Sequence, residues 1–409
     1  MMELFQNPEF WKYVSIPFIA GLIGWTTNWL AIKLTFLPLE FIGIRPFFGW
    51  QGIIPSKAKK MAGISVDATI SKIGTVSEIF DQIDPEVLAA HIIETVEPRV
   101  EEYVDELMLR EHATFWENLP TPMRQMVYDR VRKSAPDLVD NLVDDLSTNI
   151  EELLDIKEMV INQLAEDKVL LNRIFLECGH HEFRFIINSG AWLGFLFGII
   201  QMGVWYFFKN WWILPVAGLI VGYATNWIAL NVIFRPLHPV KVMGVELQGL
   251  FLKRQKAVAH SFCSIITHEI LTIGNIINAI LNGPHAERAK NMVKKHIKPI
   301  VDDTAGLSKP LTQIAFGPKG FAHLKHQVGE KAIEISADTF TDPVFNNERA
   351  AAVERIMKER MENLTPDEFQ DLLRPCFQED EVKLILIGAA LGFGAGLAQL
   401  IFVFGSGAM

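Results

Sequence analysis

The sequence predicts an all-α integral membrane protein made of two tandem parallel repeats, each a membrane helix, a helical soluble domain and a second membrane helix. Half of the 409 residues are apolar although 21% are charged, so the apolar residues have to be segregated along the chain. Four apolar stretches reach the ~20 residues that a membrane-spanning helix needs. A signature from the first half of the chain also recurs in the second half, which predicts a duplication.

The four predicted spans divide the chain into five segments. The spans run from about residue 13 to 32, 183 to 208, 212 to 234 and 382 to 404. Only a tight turn at Lys209 and Asn210 fits between the second and third spans, which makes them a hairpin. The segments are an N-terminal membrane helix with an interfacial stretch (1–55), a first helical soluble domain (56–182), the membrane hairpin (183–236), a second helical soluble domain (237–381) and a C-terminal membrane helix (382–409).

Basic residues indicate which side of the membrane the two long connectors occupy. The opposite side carries Lys12 and Lys209. Because short cytoplasmic loops carry an excess of Lys and Arg, we predict that both connectors are cytoplasmic and that both termini lie on the opposite side. Six basic residues that closely follow the first and third spans support this: Lys57, Lys59, Lys60, Lys253, Arg254 and Lys256.

Two groups of residues are expected to meet the lipid headgroups. The six basic residues would each be attracted to an anionic surface by about 1 kcal/mol, although the rule for cytoplasmic loops alone also explains their position. At the opposite face we expect an aromatic belt, because amphipathic rings prefer the membrane–water interface. Its predicted members are Trp11, Tyr13, Trp205, Tyr206, Trp211 and Trp212.

The internal repeat has a period of 198 residues. Gly24-Trp-Thr-Thr-Asn28-Trp-Leu-Ala recurs as Gly222-Tyr-Ala-Thr-Asn226-Trp-Ile-Ala. The exit helices match at the same offset, with Gly190, Gly194, Gly198 and Gln201 answered by Gly388, Gly392, Gly396 and Gln399. Each copy crosses the membrane twice, so both copies have the same orientation. We therefore expect them to be related by an axis along the membrane normal.

Each copy places a Thr-Asn pair, Thr27-Asn28 or Thr225-Asn226, in or near the end of a membrane span. A polar side chain in hydrocarbon has to find a partner. The favoured interpretation is a hydrogen bond between helices that fixes their packing. The alternative is a polar centre, lined by both copies, on the path of a solute or lipid.

The glycine rows provide the most specific physical signal in the sequence. Glycine at every fourth position leaves a smooth stripe that another helix can approach closely. One interpretation is packing inside a single subunit, and the other is a subunit interface in an oligomer. The six residues are Gly190, Gly194, Gly198, Gly388, Gly392 and Gly396.

Apolar residues at spacings of three and four predict amphipathic helices in both connectors. One stripe consists of Val139, Leu142, Leu146, Ile150 and Leu153. Pro98 is expected to kink a helix of the first connector. Thr365-Pro-Asp-Glu and Asp84-Pro-Glu are typical of helix starts with proline in the first turn.

The sequence gives little support for an enzyme, a metal site or a nucleic-acid partner. The net charge of −10 would repel phosphates. Cys178, His180 and His181 are potential metal ligands, but adjacent histidines on a helix do not readily face one site and no further ligand lies at a recognised spacing. Since no Walker loop, Gly-x-Ser-x-Gly or His-Glu-x-x-His motif occurs, we predict no catalytic residue, no metal and no cofactor.

Several motifs resemble a known bacterial family over nearly the whole chain. They are the repeated Gly-aromatic-x-Thr-Asn-Trp-x-Ala signature and the runs Glu-Phe-Arg-Phe-Ile-Ile-x-Ser-Gly (182–190), Gln-Gly-Leu-Phe-Leu-Lys-Arg-Gln (248–255) and Leu-Arg-Pro-x-Phe-Gln-Glu-Asp-Glu (373–381). The family they resemble is domain-of-unknown-function family 445, which overlaps the uncharacterised YheB-type membrane proteins. This resemblance implies a multi-pass protein of the bacterial cytoplasmic (inner) membrane, and it implies no reaction or ligand.

These observations lead to one main functional hypothesis and two rivals. The main hypothesis is a non-enzymatic membrane scaffold that forms a homo-oligomer through its glycine-lined helices and contacts or handles membrane lipid. The first rival is a transporter or channel with a polar path between the two repeats. The second rival is an enzyme that acts on lipid.

Overall fold

The computed structural model describes residues 8–44, 48–242, 244–306 and 309–405. The first seven and last four residues of the predicted terminal segments therefore lie outside the described residues. The chain is mostly helical, as predicted, with short β-hairpins that were not predicted from the sequence. It divides into two compact units, which we call the membrane unit (1–72, 161–262 and 360–409) and the helical unit (73–160 and 263–359).

The first half of the chain begins with a long apolar helix and a β-hairpin, followed by a series of helices. In order, the elements are α1 (Pro8–Phe36), β1 (Ile42–Ile44), β2 (Phe48–Trp50), α2 (Ile53–Ser56), α3 (Ala58–Ile73), α4 (Val76–Ile83), α5 (Pro85–Val96), α6 (Val100–Asn118), α7 (Thr121–Thr148), α8 (Ile150–Leu153), α9 (Ile156–Glu166), α10 (Lys168–Cys178) and α11 (His180–Phe207). A 3-10 turn at Glu97–Arg99 separates α5 from α6 at the place where a kink at Pro98 was predicted.

The second half also begins with an apolar helix and a β-hairpin. Its elements are α12 (Ile213–Phe234), β3 (Val240–Val242), β4 (Val245–Leu247), α13 (Leu250–Lys253), α14 (Gln255–Ile265), a π-helical stretch (Ile266–Ile270), α15 (Ile273–Asn282), α16 (Ala286–Gly306), α17 (Lys309–Asp338), a 3-10 turn (Thr339–Thr341), α18 (Pro343–Glu362), α19 (Pro366–Gln399) and a second π-helical stretch (Leu400–Phe404). Thr365 forms a capping box with Glu368, and Asp84 caps α5, so both predicted helix starts are confirmed.

Four described helices are long and apolar enough to cross a membrane. They are Phe10–Phe36, His180–Phe207, Ile213–Phe234 and Glu381–Phe404, and they coincide with the four predicted spans to within a few residues. The last span is the end of a longer helix, because α19 already begins at Pro366. Two shorter helices, Gln255–Ile270 and Ile273–Asn282, are long and apolar enough to cross a membrane only when taken together. A bend of 52° separates them.

In the membrane unit the long helices associate as two antiparallel pairs. α1 packs along α11, and α12 packs along α19, while α11 also contacts α12 and α1 contacts α19. Near one end of these helices a buried apolar cluster contains Trp205 together with Ile16, Ile213, Leu214 and Leu400. The expectation that Trp205 belongs to an exposed aromatic belt was wrong: only 2% of it is exposed, because its ring fills this cluster. Trp11, Tyr206, Trp211 and Trp212 are exposed as expected.

The helical unit contains residues from both long connectors. α5 and α16 pack against α7, and α17 packs against α6 and α16. The predicted apolar stripe on α7 and α8 is buried at all five positions: Val139, Leu142, Leu146, Ile150 and Leu153. Contacts therefore group the central parts of both connectors in one unit and the residues nearest the spans in the other, whereas hydropathy alone suggested one soluble domain per connector.

Ion pairs link the two connectors inside the helical unit. Arg130 lies 2.6 Å from Asp303, and its hydrogen bond lowers the pKa of that carboxyl group. His296 Nε2 lies 2.7 Å from Asp145, whose pKa is lowered chiefly by this hydrogen bond. Desolvation lowers the pKa of the buried Lys331, but hydrogen bonds and electrostatic attraction to Glu106 and Glu334 together outweigh it, so the net shift of its pKa is upward.

Candidate functional site

The two predicted asparagines form hydrogen bonds between the helices of each membrane pair. Asn28 Nδ2 on α1 donates to the Ile186 carbonyl of α11 over 2.7 Å, and Asn226 Nδ2 on α12 donates to the Leu384 carbonyl of α19 over 3.0 Å. The exposed fractions of the two asparagines are 0% and 3%. Each amide donor is therefore used to tie one helix of a pair to its partner.

The neighbouring threonines bond inside their own helices. Thr27 Oγ1 donates to the Ile23 carbonyl over 2.8 Å, and Thr225 Oγ1 donates to the Gly222 carbonyl over 3.4 Å. Both residues are buried. The four predicted polar residues therefore occupy two separate helix pairs, one Thr-Asn in each, and their hydroxyl and amide donors are used within those pairs.

The glycine rows face the partner helix of the same chain. A Cβ atom added at Gly190 would lie 2.4 Å from the Gly24 carbonyl oxygen, and one added at Gly388 would lie 2.1 Å from Asn226 Nδ2. The other four positions of the rows behave alike, since a Cβ atom at Gly194, Gly198, Gly392 or Gly396 would lie 2.2–2.6 Å from backbone atoms of the partner helix. The rows thus bring backbones together inside one subunit.

A second pair of polar side chains, which was not predicted from the sequence, caps the ends of the same helices. Asn172 Nδ2 donates to the Phe36 carbonyl at the end of α1 over 2.7 Å. Gln370, 198 residues later, donates to the Phe234 carbonyl over 3.1 Å and accepts from Arg374, when its amide is oriented to satisfy both atoms. Carbonyls at a helix end lack partners within the helix. The repeat period in the sequence could have revealed this pair, because Asn172 and Gln370 stand at equivalent positions of the two halves.

The basic residues predicted to face headgroups do not all have the same environment. Lys59, Lys60, Lys253 and Lys256 are exposed, whereas Lys57 and Arg254 are partly buried. Arg254 Nη1 lies 2.9 Å from Glu182 Oε1, and the Glu182 side chain is only 4% exposed. Arg254 therefore neutralises a buried carboxylate within the membrane unit, while the four exposed lysines remain suited to a lipid surface.

Two buried glutamines lie near the end of the membrane helices that is opposite to the end capped by Asn172 and Gln370. Gln201 on α11 and Gln399 on α19 are each 4% exposed. Among the described residues, neither Nε2 atom has a hydrogen-bond partner. Both residues belong to the repeat seen in the sequence, which predicted no role for them.

The helical unit contains an open cavity of about 650 Å³ at the kink of α6. Its lining includes Glu111 and His112, and the backbone of His112 leaves helical geometry there (φ −146°, ψ 51°). Desolvation lowers the pKa of His112. Glu111 is engaged with His323, 3.1 Å away. In the described part of the chain, no three His, Cys, Asp or Glu side chains come together in an arrangement that could hold a metal ion.

Comparison with known proteins gives a short match to an uncharacterised bacterial membrane family. A stretch of 61 residues, 14% of the chain, is 38% identical to a UPF0754 membrane protein of Synechococcus sp. (strain JA-2-3B'a(2-13)) and spans 15% of that protein's length. No protein-family profile and no solved structure matches the chain. Together with the four apolar helices, the match supports a bacterial membrane protein from a family without an assigned function.

Proposed function

We propose that this protein is a non-enzymatic scaffold of the bacterial cytoplasmic membrane, with its helical unit on the cytoplasmic side and its exposed lysines on anionic lipid. The observation that carries this proposal is the close packing of both membrane pairs. Glycines let the backbones touch at Gly24 and Gly190 and again at Gly222 and Gly388. A membrane unit whose helices are packed this closely is suited to hold other parts of the protein in place.

The matching geometry of the two halves supports the two-repeat arrangement. Asn28 and Asn226 donate to carbonyls that lie 158 residues further along the chain in both cases. The helix-end caps at Asn172 and Gln370 follow the same offset. We infer that the halves are parallel repeats related by an axis along the membrane normal.

The lipid contact is assigned to Lys59 and Lys60 in the first half and to Lys253 and Lys256 in the second. All four are exposed, and they closely follow the first and third membrane spans. Lys59 and Lys256 also stand at matching positions of the repeat. Lysines near an anionic leaflet attract it by about 1 kcal/mol each. Their placement also follows the excess of basic residues on the cytoplasmic side. The membrane unit would thus be held at the bilayer by charge as well as by its spans.

Native mass spectrometry of the full-length protein in nanodiscs of mixed anionic and zwitterionic lipid tests this contact. We expect the double variants K59Q/K60Q and K253Q/K256Q to retain several-fold less anionic lipid than the wild type. The variant K298Q/K319Q is the matched control, because it removes two exposed lysines outside the membrane unit. Retention that is equal in all variants would contradict the lipid contact.

Self-association remains part of the proposal, but through surfaces other than the glycine rows. Those rows are buried against helices of the same chain, so they are not available to a second copy. The outer faces of the spans expose large apolar residues such as Trp192, which is 79% exposed. Crosslinking in native membranes should trap dimers or larger assemblies, and recovery of monomer alone would remove homo-oligomerisation from the proposal.

A transporter or channel is the second candidate, and the buried glutamines favour it. Gln201 and Gln399 present amide donors inside the membrane unit, and Asn28 Oδ1 is a buried acceptor without a donor among the described residues. Polar atoms of this kind can line a path for a small polar solute. Purified protein in liposomes should then increase solute or water flux, and Q201L/Q399L should abolish the increase. Flux equal to that of empty liposomes would reject this candidate.

A further inference from the structure

The two β-hairpins each present an apolar face to the outside of the molecule. In the first hairpin Ile42 pairs with Trp50 and Ile44 pairs with Phe48, so all four side chains lie on one face of the strands. Their exposed fractions are 67%, 38%, 76% and 81%. The other face carries Gly43 and Gly49. Four large apolar residues on one side of a hairpin form an exposed patch that requires a cover.

The second hairpin also has an exposed apolar face, and its opposite face is charged. Val240 pairs with Leu247, and both are 48% exposed. Lys241 pairs with Glu246 on the other face, where the two side chains form an exposed ion pair at 3.6 Å. The hairpin is therefore amphipathic across its thickness. One face suits hydrocarbon, and the other suits water.

Hydrogen bonds hold each hairpin at the end of a membrane helix. Trp50 Nε1 donates to the Leu34 carbonyl of α1 over 3.1 Å, and the Gly52 amide donates to the Pro38 carbonyl over 2.9 Å. In the second half, the Gly249 amide donates to the Pro236 carbonyl over 3.0 Å. Since α1 and α12 are candidate membrane spans that end at Phe36 and Phe234, both hairpins stand at the level where hydrocarbon gives way to headgroups.

We propose that both hairpins, β1–β2 and β3–β4, lie in the boundary between headgroups and acyl chains of the leaflet in which α1 and α12 end. Their apolar faces point to the acyl chains. An isolated two-stranded hairpin is at best marginally stable in water, and amphipathic elements bind at this boundary by burying their apolar face about 5–10 Å below the headgroups. The Trp50 ring is the type of side chain that prefers this level.

The lipid bilayer is a better partner for the apolar faces of the hairpins than a second protein chain is. The hairpins are tethered directly to the ends of membrane spans, so any partner for the apolar face has to coexist with lipid at the same level. The outward ion pair of Lys241 and Glu246 places water on the opposite side. This inference depends on the membrane spans and holds whether or not the scaffold function is correct.

Photo-crosslinking of the full-length protein in nanodiscs tests the proposal. p-Benzoylphenylalanine is placed singly at Phe48, at Val240 or, as a second position on the first hairpin, at Ile44. Trp192 serves as the lipid-facing reference, Glu246 as the control on the opposite face of a hairpin, and Leu109 as the exposed control in the helical unit. Intact-mass analysis after irradiation distinguishes adducts with lipid from adducts with protein.

We expect lipid adducts at Phe48, Ile44 and Val240 in yields within about threefold of that at Trp192. The yields at Glu246 and Leu109 should be at least tenfold lower. Because these positions are exposed, the substitutions should leave the fold intact, and unchanged thermal unfolding checks this. A protein–protein adduct at the hairpin positions, or lipid yields there as low as at Leu109, would overturn the proposal.

Discussion

Nη1 of Arg254 lies within 3.0 Å of both carboxylate oxygens of Glu182, and this pair joins the two halves of the chain inside the membrane unit. Glu182 stands at the start of α11, while Arg254 immediately precedes α14. The carboxylate is almost completely buried, and the guanidinium is about one-third exposed. Such a pair contributes most clearly when it is broken, because an unpaired buried charge is left behind.

Arg254→Ala should therefore destabilise the membrane unit by about 3 kcal/mol. The readout is thermal unfolding of the purified protein in detergent. Lys253→Ala is the matched control, since that neighbour is exposed and removing it should change the melting temperature little. The apolar double variant E182L/R254M should recover much of the loss, because it removes the buried charge together with its partner. Equal melting temperatures for the two alanine variants would show that the pair is not structurally important.

Alanine substitutions at the closest helix contacts should weaken the packing of the two membrane pairs. A Cβ atom at Gly24 or Gly222 would lie 2.2 Å from a carbonyl oxygen of the partner helix, so Gly24→Ala and Gly222→Ala should each cost about 1–3 kcal/mol. Gly203 and Gly394 also lie in membrane helices, but a methyl group added at either would meet no atom within 4 Å. Alanine at these two positions should be neutral. Similar losses at all four glycines would show that the close contacts do not limit stability.

Much of the membrane unit could be predicted from the sequence, because its signals are local. Hydropathy alone predicted the four spans, and the repeated Gly and Asn positions pointed to helix packing. The burial of Trp205 was not predictable in this way, since an aromatic residue near a span end suits either a lipid interface or a core. Its environment depends on Ile16 and Leu400, which are distant in sequence.

The hairpins and the grouping of the connectors were missed for different reasons. Ile42–Ile44 and Phe48–Trp50 are only three residues each, so no alternation of apolar and polar residues can be read from them. The helices of the two connectors pack together through contacts such as Arg130–Asp303, which are separated by 173 residues. Amphipathic stripes predict that a face is buried but do not specify the element that covers it.

Substitution of Asn28 or Asn226 by leucine should distinguish a packing role of these residues from a transport role. Each substitution removes one hydrogen bond between helices, and the expected cost is about 1 kcal/mol per site. The proposed packing role predicts lower melting temperatures and unchanged permeability of liposomes that contain the variants. A solute flux in the wild type that is lost in N28L/N226L, with no change in melting temperature, would favour the transporter instead.

Acid should weaken the helical unit through the ion pairs that join the connectors. The pKa values of Asp303 and Asp145 lie below their ordinary value of 3.8 in the fold, so both carboxylates stabilise it above that pH. This contribution disappears as the pH falls from about 4 through their lowered pKa values. Asp303→Asn and Asp145→Asn should therefore be less stable than the wild type at pH 7 and show a smaller further loss on acidification.

Unfolding of the full-length protein followed by circular dichroism between pH 7 and pH 2.5 measures this dependence. Asp140→Asn is a suitable control, because Asp140 is exposed on α7. If both ion-pair variants and the control followed the pH profile of the wild type, the pairs between the connectors would not contribute to its acid sensitivity.

The central claim is that both connectors lie on the cytoplasmic side of the membrane, and cysteine accessibility in intact cells tests it most directly. Single cysteines replace Lys133 in the first connector, Lys298 in the second, or Phe208 between α11 and α12, all of which are at least partly exposed. Labelling by a membrane-impermeant maleimide is compared with that of the unmodified chain. We predict labelling at Phe208 in intact cells and at Lys133 and Lys298 only after permeabilisation. Labelling of either connector in intact cells would contradict the claim.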